Sequence, residues 1–96
     1  MLKVFLVEDE STIRETLRDT VPWESIGYTF AGEAADGEMA LPLITDAHPD
    51  VLITDIRMPF MDGLSLSKLV LEEFPETKII ILSGYDDFEY ARQAIE

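Results

Sequence analysis

The chain has 96 residues, with 20 acidic and 7 basic side chains and a formal charge of −13 at pH 7. That charge argues against direct contact with nucleic-acid phosphates or an anionic membrane surface, both of which need basic patches, while 47% apolar residues exclude a disordered acidic tail. With no cysteine there is no disulfide framework and no thiolate metal site, a composition that suits the cytoplasm, and a multivalent cation is the ligand class the charge fits.

The chain reads as one continuous domain over residues 1–96. Val4, Phe5, Leu6 and Val7 form an unbroken apolar run, stopped by Glu8, Asp9 and Glu10. Continuous rather than alternating hydrophobicity predicts a strand buried on both faces, as in a parallel sheet. The run is too short for a secretory signal, and no segment approaches membrane-spanning length. Ile13, Leu17 and Val21 then recur at helical spacing, with Thr12 and Glu15 as a capping box and Pro22 closing the helix. Residues 28–34 predict a second strand, weakened by Gly32. Asp36 is placed to cap a helix through Glu38, Met39, Leu41 and Ile44, in which Pro42 predicts a kink or an early end.

Val51, Leu52, Ile53 and Thr54 make a third strand that ends at Asp55. Asp62 is placed to cap a third helix whose apolar positions, Leu66, Leu69, Val70 and Phe74, read as core, and Pro75 ends it. Residues 78–82 give a fourth strand, stopped by Ser83 and Gly84. Phe88, Ala91 and Ile95 begin a fourth helix, with Asp86 and Glu89 at capping spacing. Trp23 and Tyr28 read as core packing, Tyr85 and Tyr90 as surface or semi-buried packing. The βαβαβαβα order predicts a doubly wound parallel α/β sheet with right-handed crossovers and helices on both faces. Ligands of such sheets bind beyond the carboxyl ends of the strands, where the strand order reverses.

Three strands end in side chains suited to metal and phosphoryl chemistry: Glu8 and Asp9 after the first, Asp55 on the third, Ser83 after the fourth. In a 2-1-3-4 order these strands are consecutive neighbours, about 5 Å apart. Three carboxylates that close repel one another unless a cation sits among them, and hard oxygen ligands in an open crevice suit Mg²⁺. A carboxylate beside Mg²⁺ is also a competent nucleophile toward phosphorus, and Ser83 could donate a hydrogen bond to a phosphoryl oxygen. His48, the single histidine, falls in a connection away from these strand ends. Taken singly, each residue has a bland explanation: acids at a helix N-terminus, a loop aspartate satisfied by amides, a Ser-Gly turn. Their convergence on one end of neighbouring strands is what those explanations do not predict.

Residues 7–10 (VEDE), 53–63 (ITDIRMPFMDG) and 80–85 (IILSGY) resemble the receiver domains of bacterial two-component response regulators, and the resemblance spans the whole chain. It implies the flavodoxin-like receiver fold. It implies that Asp55 accepts a phosphoryl group from the phosphohistidine of a sensor histidine kinase. It implies Mg²⁺ held by Asp9, by Glu8 and Asp55, and by the backbone carbonyl of Arg57, with Ser83 sensing the phosphoryl group. Residues 83–91 together with Pro22, Trp23 and Glu24 are most similar to regulators carrying an AraC-type helix-turn-helix effector, so DNA would be bound by a domain outside this chain. The family's fifth strand, with its lysine, and its fifth helix have no counterpart in the sequence, and Lys78 opens strand four at the wrong end to replace that lysine. The sequence therefore reads as a receiver ending within its fourth helix.

Other functions make different demands. A Mg²⁺-dependent phosphatase of the haloacid dehalogenase type needs a second Asp two residues after the nucleophile, where this chain has Arg57. A flavin binder needs a phosphate loop after strand one, where the acidic triplet stands. The apolar fourth strand, Ile79, Ile80, Ile81 and Leu82, also suggests a homodimer formed along that edge.

Overall fold

The structure is a computed structural model that describes residues 1–82. Four parallel strands, β1 (Leu2–Val7), β2 (Tyr28–Ala34), β3 (Val51–Asp55) and β4 (Lys78–Leu82), form one sheet in the order β2-β1-β3-β4. Helices α1 (Ser11–Thr20), α2 (Gly37–Ala47) and α3 (Gly63–Glu73) make the crossovers. The expected strand order is therefore present. Ser83, Gly84, the two tyrosines at 85 and 90, and the expected fourth helix lie outside the described residues.

Alternate residues of the central strands face opposite sides of the sheet. Phe5, Val7 and Leu52 join Ala40 and Ile44 of α2 and Leu66 and Val70 of α3 in the larger core. Val4, Leu6, Val51 and Ile53 face the other side, covered by Leu17 of α1 and by Trp23, Tyr28 and Phe30. The unbroken apolar runs thus mark strands buried on both faces. Trp23 and Tyr28 pack against the core as expected.

The side chains of Asp36 and Asp62 cap α2 and α3 as expected, accepting from Met39 N and Ser65 N, each at 2.8 Å. The Thr12–Glu15 capping box does not form. Helix α1 begins earlier, at Ser11 with Glu10 as its cap residue, so Thr12 already lies inside the helix. Glu8 Oε2 accepts from Glu10 N at 3.1 Å and Glu10 O from Arg14 N at 2.9 Å, which starts the helix directly from the acidic triplet. Helix α2 continues through Pro42 to Ala47.

Two residues read as helix-face core are more exposed than expected, Ile13 and Leu69 both at 40%. Leu66 and Val70 lie one turn apart and fill the core, leaving Leu69 on the shoulder of that stripe. A short 3-10 turn, Glu24–Ile26, precedes β2 and has no hydrophobic period to announce it. Strand β2 carries an irregularity opposite Val4 and Phe5, and Gly32 lies against the Phe5 ring, where a Cβ would stand 2.7 Å from it. The residue that weakened the predicted strand is one that this close approach requires.

Candidate functional site

Strands β1 and β3 are adjacent, with Val7 in register with Thr54. Their continuations, Glu8-Asp9 and Asp55, therefore emerge side by side at the carboxyl edge of the sheet. One carboxylate oxygen from each of Glu8, Asp9 and Asp55 lies within 4.8 Å of the others. Glu8 is 3% exposed, Asp55 is half-buried and Asp9 is exposed, so the cluster runs from the interior to solvent.

Burial pushes the Glu8 carboxyl up to about 7. The Glu10 amide opposes that rise, while a hydrogen bond with Asp9 and the nearby Asp55 charge add to it. Carboxylates that face one another at this spacing repel, and a cation among them would relieve that repulsion. An all-oxygen donor set in an open crevice fits a hard divalent cation such as Mg²⁺.

The position of Asp55 is held mainly by backbone. Asp55 Oδ1 accepts from Ile56 N at 2.8 Å, and the buried Thr54 hydroxyl donates to Asp55 O at 2.9 Å. Gly63 N donates to Ile56 O at 2.7 Å, closing the loop of residues 57–62 at its neck. At that neck a Cβ on Gly63 would lie 1.9 Å from Asp55 O, so only glycine fits. The loop carries Arg57, exposed and two residues past Asp55, and Phe60, which adopts φ 71° and is 82% exposed. Met61 N donates to Pro59 O at 2.8 Å across that turn.

Strand β4 sets Leu82 opposite Asp55. Ser83 follows Leu82 in sequence and is itself outside the described residues. His48 caps the C-terminus of α2 at the other end of the sheet, its ring 4.6 Å from that of Phe74. A surface cavity of about 370 Å³ beside His48, Asp50 and Phe74 contains none of the clustered carboxylates. The sequence did not single out Arg14, whose guanidinium Nη1 donates to Glu8 O at 2.6 Å. The available signal was a basic residue in the first turns of a helix that starts from an acidic triplet, where the helix dipole disfavours a cation.

Residues 4–96 match the family model for the response regulator receiver domain. The chain belongs to this receiver family. It is 40% identical over its full length to a transcriptional regulatory protein of Bacillus subtilis, YesN, and 41% identical to the transcriptional regulatory protein HptR of Staphylococcus aureus. The chain spans 26% and 37% of the lengths of those two relatives. Among solved structures, it superposes on the receiver domain of AraT from Geobacillus stearothermophilus with a TM-score of 0.90 at 42% identity, covering 98% of this chain and 73% of that one. A two-component transcriptional regulator AraC from Clostridium phytofermentans gives 0.87 at 36% identity, covering 96% and 74%. The chain is thus a response regulator receiver domain, and receiver domains are phosphoacceptor signalling modules that interact with sensor histidine kinases. Among the described residues no helix is long and apolar enough to cross a membrane.

Proposed function

We propose that Asp55 is the phosphoacceptor of this receiver and that the reaction depends on Mg²⁺. The observation that carries this reading is the convergence of Glu8, Asp9 and Asp55 within 4.8 Å at the carboxyl ends of adjacent parallel strands. Glu8, Asp9, Asp55 and the backbone carbonyl of Arg57 would hold the ion, which when bound offsets the charge gathered on the phosphoryl oxygens. An Asp55 carboxylate oxygen attacks the phosphorus of a kinase phosphohistidine. The new O–P bond forms as the N–P bond breaks, and the N–P electron pair returns to the imidazole, which takes up a proton. Asp55 is suited to this by position: its carbonyl is held by the Thr54 hydroxyl and against Gly63, and its carboxylate, with Oδ1 accepting from Ile56 N, stands at the crevice. Ser83 would donate its hydroxyl to a phosphoryl oxygen and carry the change onward. The chain turns over no external substrate in this reading.

The likeness to YesN and HptR, both transcriptional regulators longer than this chain, supports a transcriptional effector elsewhere in the parent protein and a cytoplasmic setting. Incubation with phosphoramidate and Mg²⁺, read by intact mass, should add one phosphoryl group, and Asp55→Asn should abolish the addition. Unchanged labelling of Asp55→Asn would remove Asp55 from the role.

Association is a second reading, and one observation favours it. Ile80 on β4 is 48% exposed, and β4 pairs only with β3 among the described strands. A second copy pairing along this apolar edge would make a homodimer.

A further inference from the structure

We propose that Arg14 is a positioning residue for the cation site, setting the direction of the Glu8 and Asp9 carboxylates through the peptide that joins them. The inference rests on the Mg²⁺ reading of the acidic cluster given above.

The peptide between Glu8 and Asp9 is planar, so fixing the Glu8 carbonyl fixes the plane from which both Cα atoms project their side chains. Glu8 N is tied to β2 through Ala34 O at 3.1 Å. Glu8 O is tied to α1 through Arg14 Nη1 at 2.6 Å. The next amide, Glu10 N, returns to Glu8 Oε2 at 3.1 Å. The Arg14 bond is thus the described link that clamps the peptide plane between the two carboxylate-bearing residues. Asp9 is exposed and gains most from a fixed plane, since its side chain has no burial to hold it.

Arg14 is itself oriented. Its Nε faces Glu33 Oε2 on β2 at 3.8 Å, and that oxygen is buried with no hydrogen bond among the described residues. The other carboxylate oxygen of Glu33 accepts from Arg18 Nη1 at 2.7 Å. Arg18 reaches Glu33 as well but makes no described contact with the Glu8–Asp9 turn, which makes it the matched control. Groups that orient metal ligands from behind change metal affinity by about 10–100-fold when removed.

The test is Mg²⁺ binding by calorimetry on the 96-residue chain, with unfolding followed in Mg²⁺-free buffer to verify that each variant is folded. Arg14→Met keeps the aliphatic stem and removes the donors, and should raise the Mg²⁺ Kd about tenfold. Arg14→Lys retains a donor and should recover most of that loss. Arg18→Met should leave the Kd within about twofold, a margin well below the range for a group that orients ligands. A folded Arg14→Met variant with an unchanged Kd overturns the assignment, and so does an Arg18→Met loss as large as that of Arg14→Met, which would point to general attachment of α1. Failure of the unsubstituted chain to bind Mg²⁺ overturns the reading of the site itself.

Discussion

The α-carbon of Gly63 is packed against the carbonyl of Asp55 so closely that a Cβ would stand 1.9 Å from the oxygen. Asp55 and the first residue of α3 are in contact through backbone. Gly63→Ala must therefore displace either β3 or the start of α3, and should destabilise the fold by about 2–3 kcal/mol, as overpacking of a tight interior does. Urea unfolding of the variant against the parent measures it.

The Glu8 carboxyl, pushed up to about 7 by burial and by its acidic neighbours, links stability to pH. Its folded value lies above the unfolded one, so its contribution is fully present below about 4.5 and is lost as pH rises through about 7. In Mg²⁺-free buffer, Glu8→Gln should flatten this dependence, raising stability at pH 8 by about 1 kcal/mol after allowance for solvent screening at the open crevice. Thermal unfolding at pH 5 and pH 8 with EDTA provides the comparison.

Mg²⁺ affinity should follow the same titration with opposite sense. Protons compete with the ion for Glu8, so the Kd should fall as pH rises from 6 to 8, levelling above the Glu8 value of about 7. Glu8→Gln should bind more weakly and lose that pH dependence, which calorimetry at several pH values would show.

Phe60 holds φ 71° while its side chain is 82% exposed, so the backbone strain has no packing to offset it. Phe60→Gly should stabilise the chain by about 1 kcal/mol, the cost of holding a bulky residue at positive φ. A melting temperature at or below that of the parent would count against this account of the turn.

The homodimer reading makes its own demand on β4. Light scattering at increasing concentration should give a mass approaching twice 10.9 kDa, and Ile80→Lys should return it to the monomer. A mass that stays at 10.9 kDa at high concentration removes this reading.

Much of this architecture was legible because apolar runs and helix caps are local signals. The runs at 4–7 and 51–54 announced strands buried on both faces, and Asp36 and Asp62 announced helix starts that their side chains do cap. The meeting of Glu8, Asp9 and Asp55 followed from strand order alone, since adjacent parallel strands bring their carboxyl ends together. Contacts of single side chains with main chain or with a neighbouring strand left no such mark. Arg14 reaches a carbonyl six residues back, Gly32 makes room for a ring on the neighbouring strand, and the start of α1 was set by the Glu8 side chain rather than by Thr12. Leu69 shows the limit of periodicity, because spacing identifies a stripe and not how far the neighbouring helix extends over its shoulder.

On the phosphoacceptor reading of Asp55, the neck formed by Asp55, Ile56 and Gly63 bears on signalling. The main chain of Asp55 is anchored by Thr54, by its own side-chain bond to Ile56 N and by the glycine pressed against its carbonyl. New charge placed on such a post cannot be relieved by moving the post. On that reading, any rearrangement falls to groups facing the carboxylate, and Asp55 would serve as a stator.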